Sequence, residues 1–242
     1  MFMFLMMLNL VFLAVGIFIF KDYTLYFIIP GFIMVLWAQL NIQWTFNHWK
    51  KVSTSLTGVA MAKLILDENG IDDVSIEHVA GDLTDHYDPR SKILRLSDAT
   101  YNSNSVAAVA VAAHEVGHAI QHHKLYTPLI ARNNFAPVAQ FASTIWSVLI
   151  FAGFFLRLPY LLEIGVICYG VFFVFAVVTL PVEFDASSRA LKALEYDGSL
   201  DSQELMGARK VLNAAAMTYV AGAVMTLLQL VRLLYILNGR DD

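Results

Sequence analysis

Val106-Ala-Ala-Val-Ala-Val-Ala-Ala-His114-Glu115-Val116-Gly117-His118-Ala-Ile-Gln121 is the stretch from which the rest of the chain is read. It is Ala/Val-rich, holds no Pro, and predicts a helix. Residues four apart share a helix face, so the imidazoles of His114 and His118 point the same way. Two imidazoles on that spacing can share one zinc ion. The carboxylate of Glu115 between them can reach a water on that ion and take its proton. The plainer reading is a helix whose histidines do nothing special, because a five-residue pattern recurs by chance.

The surroundings are those of a membrane protein. The 242 residues are 58% hydrophobic, with mean hydropathy +0.60, against roughly 45–50% apolar residues in a soluble domain. The excess falls in blocks at 2–20, 23–40, 138–156, 160–180 and 214–237. Each is close to the ~20 residues that cross a bilayer. The first block lacks the basic start and small-residue cleavage site of a signal peptide. The first two blocks are the least settled, since they could form a tight hairpin or lie partly in the interface. A formal net charge of −4 leaves no basic footprint for nucleic acid. One cysteine, Cys168, excludes an intramolecular disulfide and a Cys-based metal site.

Lys50, Lys51, Lys124, Arg132, Arg189, Lys192, Arg209 and Lys210 flank the blocks on one side; Lys21, Arg157 and Arg240 lie on the other. The basic side is the cytoplasmic one in a bacterial-type inner membrane. It holds both polar segments, 41–137 and 182–213, so the His-Glu-x-x-His helix and the second segment face one compartment. The expected organisation is two N-terminal membrane helices at 1–41, a cytoplasmic segment with the motif helix at 42–135, a transmembrane pair at 136–181, a helical segment at 182–213 and a last membrane helix at 214–242.

Within the polar segment, 53–69 predicts an amphipathic helix capped by Thr57 or Ser55 and ended by Asn69-Gly70. Alternation at 74–79, 83–87 and 92–97 predicts three strands, with Ile93, Leu94 and Leu96 on the buried side. A small antiparallel sheet packed on the motif helix follows. Its edge could accept a peptide as a further strand, or the sheet could be purely structural.

A catalytic zinc takes about three protein ligands plus water. Gln121 and Lys124 stand where a metzincin would have Gly and His. His122 shares the face of His118, but one helix wraps three imidazoles around a tetrahedral ion poorly. Glu183, directly after the fourth block in Leu180-Pro181-Val182-Glu183-Phe184-Asp185-Ala186-Ser187-Ser188-Arg189, is the better candidate; a carboxylate solvated near the headgroups is the alternative. Asp185 is the alternative ligand; on a helix 183 and 185 point in different directions, so only one of them binds, and a spare carboxylate near such a site commonly orients a ligand imidazole.

His-Glu-x-x-His, two spans and a Glu-Phe-x-Ala-Ser-x-Arg run, with Leu56-Thr-Gly58, Gly81-Asp-Leu-Thr-Asp-His-Tyr-Asp-Pro-Arg90 and Lys92-Ile-Leu-Arg-Leu-Ser97, resemble the YugP-like family of membrane zinc metallopeptidases. That family is similar in plan to the HtpX-like membrane proteases. The resemblance implies a mostly α integral-membrane fold of about five transmembrane helices, with the small sheet on a gluzincin-type motif helix. It implies one zinc per chain on His114, His118 and Glu183, with Glu115 as general base, and an edge at 84–96 beside the substrate cleft. Asp185 departs from the Asn usual there, and Ser187 stands where an HtpX-like protein has an Asp bracing a ligand histidine, so the bracing role is unassigned.

The expected activity is an integral-membrane endopeptidase acting on peptides or membrane proteins at the cytoplasmic face of the cell membrane. Candidates for a second group that steadies the oxyanion are His86, Tyr87, Arg189 and Tyr219; Asp185 is a candidate to orient a ligand imidazole from behind; His48, His78 and His123 read as bystanders. Two other classes compete: a non-catalytic zinc-binding membrane protein that regulates a partner, and a transporter with a metal site. An intact Glu115 argues against the first, since a structural zinc site needs no base. Glu163, Arg157 and Arg232 sit near span ends and trace no continuous path, which argues against the second. The Ala/Gly-rich run 214–223 would let helices approach closely in an oligomer.

Overall fold

The computed structural model describes residues 26–238. In chain order the elements are α1 (Ile29–Trp49), α2 (Gly58–Glu68), β1 (Ser75–Val79), β2 (His86–Asp88), β3 (Ile93–Ser97), α3 (Val106–His123), α4 (Thr127–Phe155), α5 (Pro159–Asp197) and α6 (Ser202–Asn238). They divide into two compact units.

The unit formed by Trp37–Pro137 and Phe175–Val220 carries the large apolar core. Thr57 caps α2 by accepting from the Ala60 N–H at 3.3 Å, and the Asn69 side chain donates to the Ile65 carbonyl at its other end. Met61 and Ile65 of α2, Leu94 and Leu96 of β3 and Val109 and Val116 of α3 are fully buried together. Burying such a side chain contributes about 1.5–3 kcal/mol, so the sheet and α2 hold α3 from two directions. Ser105 starts α3, its hydroxyl accepting from the Ala108 N–H at 3.2 Å.

The sheet is mixed, not antiparallel. Its order is β1-β3-β2, with β1 parallel and β2 antiparallel to β3. The connection after β1 explains the difference. Residues 80–85 pass the end of β3 before the chain turns back as β2, and they are tied there. Gly81 donates its N–H to Asp98 Oδ2 at 2.7 Å, and Asp85 accepts from the Ser97 N–H and hydroxyl at 2.8 Å each. Gly81 sits at φ +108, open to glycine and poorly tolerated by other residues. Leu94 and Leu96 are buried as expected, while Ile93 is only half-buried.

The other unit comprises Val138–Val174 with described stretches at both chain ends. Among its described residues Trp146, Val166, Tyr169 and Leu233 form a buried cluster, with the Trp146 and Tyr169 rings edge-to-face at 4.7 Å. Most of its apolar surface faces outward, including Phe141, Val148, Phe155 and Ile167.

Among the described residues three helices are long and apolar enough to cross a membrane, α4, α5 and α6, where the sequence predicts five spans. The block at 2–20 lies outside the described residues. The block at 23–40 enters α1, which runs on to Trp49; Gln39, Asn41 and Gln43 dilute its hydropathy, so it is not among the three. Pro181 lies inside α5, which continues past it to Asp197, so the span and the segment that follows it are one helix.

Candidate metal centre

The centre lies where α3 meets the second half of α5. Val182, Ala186, Ala190 and Leu194, each four residues after the last, form a fully buried stripe on α5. Gly117 of α3 lies against this stripe. A Cβ there would stand 2.5 Å from the Ala186 carbonyl oxygen, so only glycine allows the two backbones to come this close. Glu183 and Ser187, one turn apart on α5, are thereby brought up to His114 and His118.

Glu183 Oε2 lies 3.3 Å from His114 Nε2 and 3.6 Å from His118 Nε2. The residue is 3% exposed. That oxygen is buried and makes no hydrogen bond among the described residues. One donor atom from each of the three residues lies within 4.8 Å of the other two. Tetrahedral ligands about 2.0–2.1 Å from zinc sit about 3.4 Å from one another, so a single small cation fits among these atoms.

The other ring nitrogens are held from behind. Gln121 gives its amide N–H groups to the Val182 carbonyl and to Asp185 Oδ2, both at 2.8 Å. Its oxygen is therefore the atom 3.0 Å from His118 Nδ1 and accepts that proton. This fixes the tautomer and leaves the lone pair of Nε2 facing Glu183. Ser187 Oγ stands 3.2 Å from His114 Nδ1 and supplies the brace the sequence left unassigned. Asp185 reaches His118 only through Gln121, and Arg189 Nε donates to it at 2.5 Å.

Burial alone would lower the proton affinity of His118. The neighbouring carboxylates of Glu183 and Glu115 reverse this and raise it. A pocket with two carboxylates and two imidazoles is electrostatically suited to a cation.

Glu115 is anchored to the sheet: its Oε2 accepts the Tyr87 N–H on the edge of β2 at 3.1 Å. The Tyr87 hydroxyl pairs with His122 Nδ1 at 2.8 Å. Burial first, then the nearby charges of Asp73 and Asp88, push that phenol up to about 12. His122 is thus engaged away from the three converging atoms.

The chain matches the profile described as "Putative neutral zinc metallopeptidase" over residues 23–238. The chain belongs to this zinc metallopeptidase family. It is 44% identical over 209 residues to the "Putative membrane protease YugP" of Bacillus subtilis (strain 168), covering 85% of this chain and 93% of that protein. No solved structure matches.

For a zinc metallopeptidase, the remaining residues named from sequence are placed as follows. His86 is exposed, its Nδ1 2.8 Å from the Thr84 carbonyl and its Nε2 3.5 Å from Arg95. Arg189 is engaged by Asp185 and lies 5.5 Å over the Tyr126 ring. Tyr219 lies within electrostatic reach of Glu183 and Glu115 and is exposed. His78 pairs with Asp98 at 2.7 Å in the turn after β1. Gln121 and Arg132, whose Nη2 lies 3.9 Å from Glu183 Oε1, are the residues that sequence reasoning missed. A buried amide three residues after a ligand histidine was the available signal for Gln121. Arg132 was read only as an orienting charge.

Proposed function

We propose that this family member is an integral-membrane, zinc-dependent endopeptidase that cuts peptide bonds at the cytoplasmic face of the cell membrane. The observation that carries the reading is the buried, unbonded oxygen of Glu183 between two imidazole nitrogens whose opposite sides are already occupied.

His114, His118 and Glu183 would hold one zinc ion, a nitrogen-and-oxygen set with room for a fourth ligand. When bound, zinc supplies Lewis acidity, lowering the pKa of a coordinated water to roughly 7 and polarising a carbonyl. Glu115 takes the proton from the attacking water and returns it to the leaving nitrogen. Its hydrogen bond to the Tyr87 N–H holds it beside the edge of β2, along which an extended peptide would add as a strand. Gln121 and Ser187 keep the imidazoles in the ligating tautomer and orientation. Three long apolar helices and the likeness to a Bacillus protein named as a membrane protease support a multi-pass location. The charge bias of the flanking residues supports the cytoplasmic orientation.

The full chain, purified in detergent, tests the scheme with Glu115→Gln and an unfolded fluorescent casein. The expected result is one zinc per chain and no cleavage. Full cleavage by that variant, or by wild-type protein stripped of zinc, overturns the reading.

A further inference from the structure

A hydrolytic centre of this kind needs a donor for the charge that gathers on the carbonyl oxygen. The arginine expected to serve is otherwise engaged: Arg189 binds Asp185 and covers Tyr126. Arg132, on the early part of α4, is different. Its Nε is buried and has no hydrogen-bond partner among the described residues. Its Nη2 reaches Glu183 Oε1 only at 3.9 Å, an ion-pair distance and not a hydrogen bond. The Arg132 side chain is 31% exposed, so it is not sealed in the core. A guanidinium has five N–H donors and no acceptor. A group so placed suits an acceptor that arrives with the substrate.

The surroundings separate this cation from the base. Glu115 is tied to the Tyr87 N–H of β2, whereas Arg132 faces the Glu183 oxygen turned away from the imidazoles. An arginine paired with Glu115 would hold its carboxylate ionised and blunt it as a proton acceptor. Arg132 pairs instead with a carboxylate that takes no proton in the reaction.

We propose that Arg132 is a catalytic residue that donates N–H to the carbonyl oxygen of the scissile peptide as that oxygen becomes negative. The assignment rests on the zinc-peptidase reading of the same centre. Water adds to the carbonyl carbon and gives its proton to Glu115, while the C=O π pair moves onto oxygen, where Arg132 meets it. The pair then returns, the C–N bond breaks, and nitrogen takes the proton from Glu115, leaving a carboxylic acid and an amine.

The test uses full-length Arg132→Gln and Arg132→Lys beside wild type and Glu115→Gln. It reads bound zinc, kcat and KM on a fluorescent casein-derived peptide, and affinity for a phosphinic peptide whose tetrahedral phosphorus mimics the adduct. In Arg132→Gln the zinc should remain at wild-type content and KM should move by less than about threefold. Its kcat should fall about 10²–10³-fold. Affinity for the phosphinic peptide should fall in step, because a donor that acts only in the transition state binds its mimic. Arg132→Lys should recover part of both, as a point charge without the planar fork. Wild-type kcat in Arg132→Gln overturns the assignment. So does a kcat loss with undiminished phosphinic affinity, or one that merely tracks lost zinc. An active Glu115→Gln protein overturns the peptidase reading itself, whatever Arg132 does.

Discussion

The two helices of the centre reach it by different physical routes. On α3 the imidazoles of His114 and His118 face one way because the backbone repeats every 3.6 residues. Five consecutive residues suffice, and the buried alanines around them only seat the helix on its core. On α5 nothing local aims Glu183. Its position depends on a crossing with α3 so close that Gly117 has no room for a Cβ against Ala186. Periodicity therefore sets two of the converging residues, and tertiary packing sets the third.

The largest expected effect removes the packing-dependent partner altogether. Glu183→Ala should leave the protein with almost no zinc after dialysis, and no cleavage of unfolded casein, while α3 keeps both histidines. Zinc content by elemental analysis checks this. Retention of one zinc per chain would mean that the periodic pair does not need α5.

Gly117→Ala sharpens the comparison without touching a ligand. The added methyl meets a backbone carbonyl at 2.5 Å, so α5 must move. Overpacking of this kind costs about 1–3 kcal/mol, read as a fall in the thermal midpoint, and zinc affinity should fall with it. Gly170→Ala in the same α5 is the control: a Cβ there meets nothing within 4 Å, and neither quantity should change.

Smaller effects follow from the groups behind the imidazoles. Gln121→Ala should weaken zinc binding by about 10–100-fold, measured by competition with a chelating dye. Ser187→Ala should cost less, since the serine makes one contact and the glutamine makes three.

The smallest effect lies in the sheet. The Gly81 N–H and then the His78 imidazole hold the Asp98 carboxyl below its ordinary 3.8. A carboxyl with a lowered folded-state value contributes stability above the unfolded value and loses it as pH falls through the lowered one. Hydrogen exchange at the Gly81 amide should therefore be slowed above pH 3.8, and this protection should fade below it. Asp98→Asn should remove that pH dependence and leave zinc content alone.

What could be read in advance follows the same division. The helix around His114 and His118, the Thr57 cap and the Asn69 stop are local, and α3 and α2 form where those signals stand. The direction of β1 was not legible, because it depends on how residues 80–85 pass the end of β3. Among the described residues three of the expected spans fall on helices long and apolar enough to cross a membrane, and α1, which runs past the block at 23–40 through Asn41 and Gln43, is not one of them. Glu183 was legible as a carboxylate out of place beside an apolar block. Gln121, Ser187 and Arg132 acquire meaning only from partners 50 or more residues away in sequence.

Zinc K-edge X-ray absorption on the purified full-length protein tests the central claim most directly. Three side chains from two helices predict a shell of light atoms at about 2.0–2.1 Å, with outer-shell scattering from two imidazoles, the remainder being oxygen. A third imidazole, which would bring His122 into the site, or an unaltered spectrum in Glu183→Ala would contradict it.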